Sequence, residues 1–268
     1  MTTSLETVVL SSGSRARYRR SGSGEPLLFL HSVLPPADED PFREALAARF
    51  DVIAPVAPGY EDPEELASLD DVRDLALHYD DLLRSLGVDR IAVVGHSYGG
   101  MLAAELAAHF PRQVSRLVLI APFGLWLDEH PTLDLSAIPA RQLAQHLTGE
   151  QWADGASSPE ARVERSVALM QGLAAAVKFM WPIPDVGLGR RLHRIGCDTL
   201  LLWGDRDDIN PPEYADAFAE AIRGSRVELM PGSHQLPYER PGEVANVVQA
   251  FVREVQPNPA FRPEVERG

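Results

Sequence analysis

Residues 91–100 read Ile-Ala-Val-Val-Gly-His-Ser-Tyr-Gly-Gly, an apolar, β-branched run that ends in a serine with a glycine two positions to either side. A Gly-x-Ser-x-Gly turn between a strand and a helix holds its central residue in strained backbone geometry and exposes the hydroxyl as a nucleophile. Gly95 and Gly99 fit such a turn, because we expect a Cβ at either position to collide with the neighbouring element. The first amides of the following helix, predicted at 98–110, would stabilise negative charge near Ser97.

Both flanks of this turn have the period that a strand and a helix require. Residues 90–94 have the pattern of a buried strand. Downstream, four apolar residues fall on one helical face: Met101, Leu102, Leu106 and Phe110. The alternative is an ordinary turn between strand and helix with an incidental serine, and the two flanking patterns disfavour it.

Composition excludes several classes of protein. The chain has 268 residues, enough for one compact domain with an inserted subdomain and a large core. Acidic residues outnumber basic ones by 39 to 25, and the net charge of −14 repels nucleic acid and anionic lipid. We therefore expect neither nucleic acid nor a membrane as a partner. No phosphate-binding glycine loop, dinucleotide fingerprint or metal-ligand spacing points to a nucleotide or metal enzyme.

Cysteine use and the N-terminus bear on the cellular compartment. The single cysteine, Cys197, excludes an internal disulfide and is expected as a small, buried core residue. Residues 1–10 contain no basic stretch followed by an apolar block, and no apolar run reaches the length of a membrane span. We expect a soluble, cytoplasmic protein.

Predicted strands and helices alternate along most of the chain, which favours a mostly parallel sheet with helices on both faces. The first two strands, at 7–10 and 15–18, would form a hairpin. Further strands are predicted at 27–30, 52–54, 91–94, 116–120, 199–203 and 226–230. Helices are predicted at 41–48, 70–86, 98–110, 212–222 and 241–255. Ligands of such sheets bind beyond the carboxyl ends of the strands.

The alternation stops between about residues 124 and 191, where helical stretches at 140–146 and 159–180 follow one another. This predicts a helical cap at 125–191 inserted into a core of residues 1–124 and 192–256. The remaining residues, 257–268, would form a poorly ordered tail. Large apolar residues at the cap ends would form a pocket wall, a packing seam with the core, or both: Phe123, Leu125, Trp126, Phe179, Met180 and Trp181.

A serine hydroxyl needs a general base, and the base needs a group that fixes its tautomer. His234 is the candidate base because it stands in a loop after a late strand, from which it can reach over the edge of the sheet. Three carboxylates directly follow the predicted strand at 199–203, and one of them should face His234: Asp205, Asp207 and Asp208.

The order of nucleophile turn, helix, post-strand aspartate and late-loop histidine resembles the α/β-hydrolase family, from about residue 26 to 255. Residues 57–60, Ala-Pro-Gly-Tyr, resemble its Pro-Gly-aromatic segment. The resemblance implies the α/β-hydrolase fold and an acid three residues after a glycine. Since Gly204 precedes the acidic cluster, Asp207 is our choice, with Asp205 as the alternative.

An oxyanion hole needs two aligned donors, and the Tyr98 N–H is one candidate. The resemblance implies a second donor in the loop at 30–34, where the Val33 N–H is the best match. Ser32 and Ser233 occupy positions where family members usually have glycine, so we expect altered hydrogen bonding there. His31 is expected to buttress this loop. His96 is expected to pack beside the nucleophile turn.

These residues favour a cofactor-independent serine hydrolase that acts on a small molecule, first of all a carboxylic ester with a partly apolar group. The expected substrate-binding residues are His31, Ser32, Phe123, Trp126, Met180, Trp181 and Leu236. A second hypothesis is hydrolysis of a carbon–carbon bond in a diketone acid of the ring-cleavage type, with Arg190, Arg191 and Arg194 as cations or as surface charges. A third is a ligand receptor that keeps the triad. The oligomeric state stays open, with a homodimer as one alternative.

Overall fold

One sheet of eight strands organises the computed structural model, which describes residues 4–135, 137–138, 142–143, 146–147, 158–180 and 185–254. Within these residues the strands are β1 (Leu5–Val9), β2 (Arg15–Gly22), β3 (Pro26–Leu30), β4 (Asp51–Pro55), β5 (Ile91–His96), β6 (Val114–Ile120), β7 (Asp198–Gly204) and β8 (Arg226–Met230). Their spatial order is β1-β2-β4-β3-β5-β6-β7-β8. β2 pairs antiparallel with β1 and β4, and the other pairings are parallel. The predicted mostly parallel sheet is confirmed.

Helices follow most of the parallel strands. Those whose bounds the structure gives are α1 (Pro41–Ala47), α2 (Val72–Ser85), α3 (Tyr98–His109), α4 (Pro159–Met180), α5 (Glu213–Ala221), α6 (Leu236–Glu239) and α7 (Pro241–Arg253). Short 3-10 helices occur at Pro63–Ser68, Leu188–Arg190 and Leu192–Arg194. None of the helices in the described part of the chain has an apolar stretch long enough to cross a bilayer.

The predicted strands and helices that fall within the described residues are present, and most bounds shift by a few residues. β2 extends from the predicted end at Tyr18 to Gly22 because these residues pair with β4, a partner that no local pattern reveals. The helix predicted at 159–180 is α4, with the same bounds. The helix predicted at 140–146 lies only partly within the described residues, and the tail at 257–268 lies outside them.

Two apolar clusters cover the two faces of the sheet. On one face, α1 and α7 bury side chains such as Phe42, Leu46 and Phe251. On the other face, α2, α3 and α5 bury side chains such as Leu75 and Phe218. The predicted helical layers on both faces are therefore confirmed. Cys197 is half-buried against the second of these clusters, and burial raises the pKa of its thiol to about 11.

The segment between β6 and β7, residues 121–197, is called the insertion below. Its described residues contain α4 and two of the 3-10 helices, and none of them belongs to a strand. Several of its apolar side chains, including Leu169, Leu173 and Phe179, join the same buried cluster as α2 and α3. The insertion therefore packs on the face of the core that carries the start of α3. A division into core and cap at residues 125 and 191 stays a prediction.

Candidate active site

The nucleophile turn has the strained geometry that its sequence predicts. Ser97 lies between β5 and α3 with φ 58° and ψ −118°, a conformation that few non-glycine residues adopt. A Cβ on Gly95 would lie 2.3 Å from the Gly99 carbonyl oxygen, and a Cβ on Gly99 would lie 2.2 Å from the Leu30 carbonyl oxygen. The expected collision at both glycines is confirmed. The bare backbone at Gly99 lets α3 begin against the end of β3.

The structure brings Ser97 and His234 together although 137 positions separate them in the chain. The Ser97 hydroxyl donates to Nε2 of His234 over 2.8 Å. Nδ1 of His234 donates to Oδ2 of Asp207 over 2.7 Å. The side chains of His234 and Asp207 have no solvent exposure. Two hydrogen bonds therefore join a hydroxyl, an imidazole and a carboxylate in one line, the geometry by which a base activates a nucleophile.

The two carboxylates that the sequence left as alternatives have different partners. Oδ1 of Asp207 accepts the backbone N–H groups of Ile209 and Asn210, at 3.0 and 2.8 Å, while Oδ2 accepts His234. Oδ1 of Asp205 instead accepts the N–H of Gly232 over 3.0 Å. Asp207 thus faces the imidazole. Asp205 holds the loop that carries the imidazole.

His96 contributes a contact that the sequence did not indicate. Its Nε2 donates to the backbone carbonyl of His234 over 2.8 Å, and the two rings lie 5.4 Å apart. Its Nδ1 is buried with no hydrogen-bond partner in the described residues. Burial, followed by the nearby His234, lowers the pKa of His96 to about 3, so its ring is neutral. We expected a packing residue here, and the structure also shows a hydrogen bond from His96 to the backbone of the candidate base.

Asn210 is a second residue that sequence reasoning missed. Its side-chain amide donates to the Pro122 carbonyl over 2.7 Å, while its backbone N–H bonds to Asp207. The carbonyl of Asn210 accepts the indole N–H of Trp203 over 2.8 Å. Asn210 therefore joins the loop of the acid to the end of β6. No local signal marks it, because the contact with Pro122 spans 88 positions.

The two candidate oxyanion donors lie at the start of α3 and in the loop after β3. The Tyr98 N–H is in the first turn of α3, where backbone donors have no acceptor within the helix. The Val33 N–H has no hydrogen-bond acceptor among the residues that the structure describes. The close approach of Gly99 to Leu30 brings these two segments together.

His31 holds the peptide that carries the Val33 donor. Its Nδ1 donates to the Ser32 carbonyl over 2.7 Å, and its Nε2 accepts the Ala57 N–H over 3.0 Å. The Ser32 carbonyl and the Val33 N–H belong to one planar peptide group, so fixing the carbonyl fixes the direction of the N–H. Burial lowers the pKa of His31 to about 4, which keeps Nε2 free to accept. This arrangement agrees with the expected buttress.

The serines at the two usual glycine positions make hydrogen bonds of their own. The Ser32 hydroxyl accepts the Leu34 N–H over 3.1 Å. At the other site, the Ser233 hydroxyl donates to the Glu239 carboxylate, and it accepts the Gln235 N–H over 3.1 Å. The expected change in hydrogen bonding is present at both loops. Each serine hydroxyl stabilises the loop in which it lies.

The expected substrate-binding residues do not all come together. Phe123 is buried, and its ring centroid lies 5.6 Å from that of His234. Met180 is buried in the cluster that also contains Val33 and Tyr98. Trp126 is half-buried, and its indole N–H donates over 2.9 Å to Asp128, an exposed residue. Trp181 lies outside the described residues.

Leu236 departs further from the prediction. It lies in the cluster under the opposite face of the sheet, together with Phe42 and Val244. Its side chain fills the space over Gly232, where a Cβ would lie 2.6 Å from it. We expected Leu236 near the site because it is two positions from His234 in sequence. However, α6 begins at Leu236 and directs its side chain into the core. Its expected role in substrate binding is not supported.

Two of the three arginines at the end of the insertion, Arg191 and Arg194, bond to α3. Arg191 forms an ion pair with Glu105, a residue with no solvent exposure, at 2.5 Å. Arg194 donates to the Ala108 carbonyl over 2.9 Å. Glu105 lies on α3 eight positions after Ser97, about 12 Å along the helix axis. Arg190 is exposed. Arg191 and Arg194 thus stabilise the far part of α3.

Comparison with known proteins assigns the chain to a family. A profile of the alpha/beta hydrolase family matches residues 27–247. This span covers far more than half of the chain, and it contains Ser97, His234, Asp207, Val33 and Tyr98. The protein belongs to the alpha/beta hydrolase family and is an enzyme of the hydrolase class.

Relatives of known name differ in what they hydrolyse. The putative carbamate hydrolase RutD of Cronobacter turicensis is 30% identical over 200 residues, which cover 70% of this chain and 72% of that protein. Mouse serine hydrolase BPHL is 25% identical over 91% of this chain and 85% of that protein. The meta-cleavage product hydrolase CumD of Pseudomonas fluorescens IP01 has a TM-score of 0.75 at 21% identity, covering 92% of this chain and 97% of that one. This last likeness shows the fold alone.

Proposed function

We propose that the protein is a cofactor-independent serine hydrolase that cleaves carboxylic esters with a partly apolar acyl or alcohol group. The observation that carries this proposal is the unbroken pair of hydrogen bonds from Ser97 through His234 to Asp207, at 2.8 and 2.7 Å. A hydroxyl held this way loses its proton to the imidazole as it attacks, and the carboxylate stabilises the imidazolium that forms. The net charge and the single thiol fit a cytoplasmic setting.

The reaction runs in two halves. Ser97 Oγ bonds to the ester carbonyl carbon while His234 Nε2 takes the hydroxyl proton. The N–H groups of Val33 and Tyr98 stabilise the oxyanion, typically the largest single term in such catalysis. The carbon–alkoxy bond then breaks, and His234 returns the proton to the departing alcohol. A water molecule, deprotonated by His234, attacks the acyl-enzyme and releases the carboxylic acid and the serine hydroxyl.

An apolar substrate group follows from the surroundings of Ser97. Val33, Tyr98 and Phe123 belong to a buried cluster that continues into the insertion through Leu173 and Met180. Burying apolar substrate surface against such side chains contributes about 25 cal/mol per Å². Of the three arginines that the second reaction would use, Arg191 and Arg194 bond to α3 instead and Arg190 is exposed, which favours the ester over the diketone acid.

Active-site labelling tests this function. We expect a fluorophosphonate to modify Ser97, as located by peptide mass spectrometry, and Ser97→Ala to lower turnover of aryl esters by about three orders of magnitude or more. Ser225→Ala is the matched control, since it removes a serine hydroxyl before β8 that has no hydrogen-bond partner in the described residues. Label on another residue, or full turnover by Ser97→Ala, would overturn the proposal.

Substrate choice is tested with the same preparation. Esters of graded acyl length should show kcat/KM rising with length, and a ring-cleavage diketone acid should be the poorer substrate. Faster turnover of the diketone acid would favour carbon–carbon hydrolysis. A single turnover with a ligand-dependent protein complex would favour a receptor.

A further inference from the structure

Helix α4 of the insertion contacts the loop after β4 at Tyr60 and at the Gly59 carbonyl beside it. The Gln171 side-chain amide donates to the carbonyl of Tyr60 over 3.0 Å and to that of Gly59 over 3.2 Å. The next residue on α4 is Gly172, where a Cβ would lie 2.6 Å from Cε1 of the Tyr60 ring. The helix therefore holds both the backbone and the ring of Tyr60. A larger residue at 172 would push the ring away.

The other end of Tyr60 reaches the oxyanion loop. Its hydroxyl donates to the Val33 carbonyl over 3.2 Å, and its ring meets His31 edge to face with centroids 4.7 Å apart. Tyr60 is 4% exposed, so water does not compete for these contacts. The Val33 carbonyl shares a planar peptide with the Leu34 N–H. This N–H donates to the Ser32 hydroxyl. This peptide is therefore held from both sides.

The candidate donor thus lies between two restrained peptides. His31 fixes the peptide before Val33, through the Ser32 carbonyl. Tyr60 fixes the peptide after Val33. Rotation of Val33 about φ or ψ would break one of these bonds, and both bonds are buried. The direction of the Val33 N–H then depends on where the Tyr60 hydroxyl lies.

We propose that Tyr60 is a positioning residue that makes the oxyanion hole depend on the seating of α4. This inference rests on the proposed function, because it assigns the Val33 N–H to a developing oxyanion. Tyr60 does not touch the reacting atoms; it acts through the Val33 backbone. The insertion therefore affects the chemical step through Gln171 and Gly172, besides any contact that it makes with substrate.

Tyr60→Phe is the direct test, because it removes the hydroxyl and keeps the ring between Gly172 and His31. We expect kcat for an aryl ester to fall about tenfold with KM within twofold, a fraction of the 10²–10³ that follows loss of an entire oxyanion donor. Phosphonylation of Ser97 by a fluorophosphonate should slow by a similar factor, since the phosphoryl oxygen takes the place of the oxyanion. A merely structural role would change melting temperature without this split.

Tyr18→Phe is the matched control. Tyr18 is a buried tyrosine of β2 whose hydroxyl donates to Glu6 over 2.8 Å, on a strand near the far edge of the sheet. We expect it to lower stability and leave kcat unchanged. Gln171→Leu should lower kcat in the same direction as Tyr60→Phe. The kcat of the double variant should fall no further than that of the more affected single variant, because both changes act on the same contact between Tyr60 and the Val33 carbonyl.

The outcomes separate the two proposals. If the wild-type Ser97 does not react with the fluorophosphonate, both proposals fail. If Ser97 reacts and Tyr60→Phe keeps the wild-type kcat and labelling rate, only the positioning role fails. Equal loss of kcat in Tyr60→Phe and Tyr18→Phe, or losses that multiply in the double variant, would also overturn it and leave the hydrolase intact.

Discussion

His96 donates its Nε2 hydrogen to the backbone carbonyl of His234 over 2.8 Å, so the residue before the nucleophile holds the main chain of the candidate base. The two residues lie on β5 and in the loop after β8, two segments that no direct strand pairing joins. A displacement of this loop would move the imidazole away from Ser97. The contact therefore fixes the distance on which the proposed proton transfer depends.

Replacing His96 should lower activity according to whether the donor survives. His96→Leu leaves the His234 carbonyl buried without a donor, which costs roughly 1–3 kcal/mol of stability. Because the main chain of His234 is then less restrained, we expect kcat/KM to fall about tenfold. His96→Gln places an amide N–H near the same point and should recover most of the activity. Steady-state kinetics on an aryl ester check this. Equal activity of both variants would show that the hydrogen bond from His96 to the His234 carbonyl does not matter for activity.

Substitution of Asp207 should lower kcat far more than substitution of Asp205. Asp207→Asn removes the carboxylate that fixes the His234 tautomer, and we expect kcat to fall by about 10²–10⁴. Asp205→Asn keeps an oxygen that can accept the Gly232 N–H, so its kcat should stay within a few-fold of wild type. Both variants are compared by kcat at pH 8. The opposite order of losses would move the acid to Asp205.

Much of this site is predictable from the sequence because its strongest constraints are local. The two glycines around Ser97 prevent backbone collisions within a few residues, so their spacing alone predicts the turn. The position of His234 follows from the order of strands. The choice of Asp207 over Asp205 needed the resemblance to a family, since both follow β7 directly.

The remaining contacts are not encoded in any short pattern. His96 bonds to a residue 138 positions away, and Asn210 bonds to one 88 positions away. Only the folded sheet brings these partners together. Leu236, expected beside the substrate, packs in the core cluster on the opposite face of the sheet, because proximity in sequence does not give side-chain direction. Trp126 likewise follows Phe123 closely, yet its indole bonds to an exposed carboxylate.

Gly99→Ala should destabilise the fold strongly. The new Cβ would lie 2.2 Å from the Leu30 carbonyl oxygen and 2.3 Å from that of His31, and backbone atoms cannot yield as a flexible side chain does. We expect a loss of about 2 kcal/mol or more in the free energy of unfolding. Gly242→Ala, in the first turn of α7 with no atom within 4 Å of the added Cβ, is the control and should be neutral or slightly stabilising. Urea unfolding measures both.

The ion pair between Glu105 and Arg191 should behave as a buried pair. Arg191→Met removes the cation from the Glu105 carboxylate, which has no solvent exposure and has Nδ1 of His109 at 3.5 Å as its other neighbour, and we expect a loss of about 3 kcal/mol. Adding Glu105→Leu removes the buried charge as well and should recover a large part of that loss. Chemical denaturation of the two single variants and the double variant tests this. A double variant that loses the sum of the single effects would contradict it.

Three buried histidines should make stability depend on pH. Burial lowers the pKa of His31 and His78 to about 4 and that of His96 to about 3. In the unfolded chain a histidine has a pKa of about 6.5, so between these values the unfolded state binds more protons. The free energy of unfolding should therefore fall as the pH is lowered through 6.5, and it should be insensitive to these groups above it. Each histidine contributes about 1 kcal/mol per pH unit in this window.

His78 allows the effect to be isolated, because it lies on α2, away from the candidate site, with its ring against Tyr79. His78→Phe keeps an aromatic ring and removes one titrating group, so the slope of unfolding free energy against pH, measured by urea titration between pH 6.5 and 5, should drop by about 1 kcal/mol per pH unit. His193→Gln changes an exposed histidine and should leave the slope unchanged. An unaltered slope in His78→Phe would mean that His78 takes up its proton without unfolding, and the acid sensitivity would then have to come from the two imidazoles beside Ser97 and Val33.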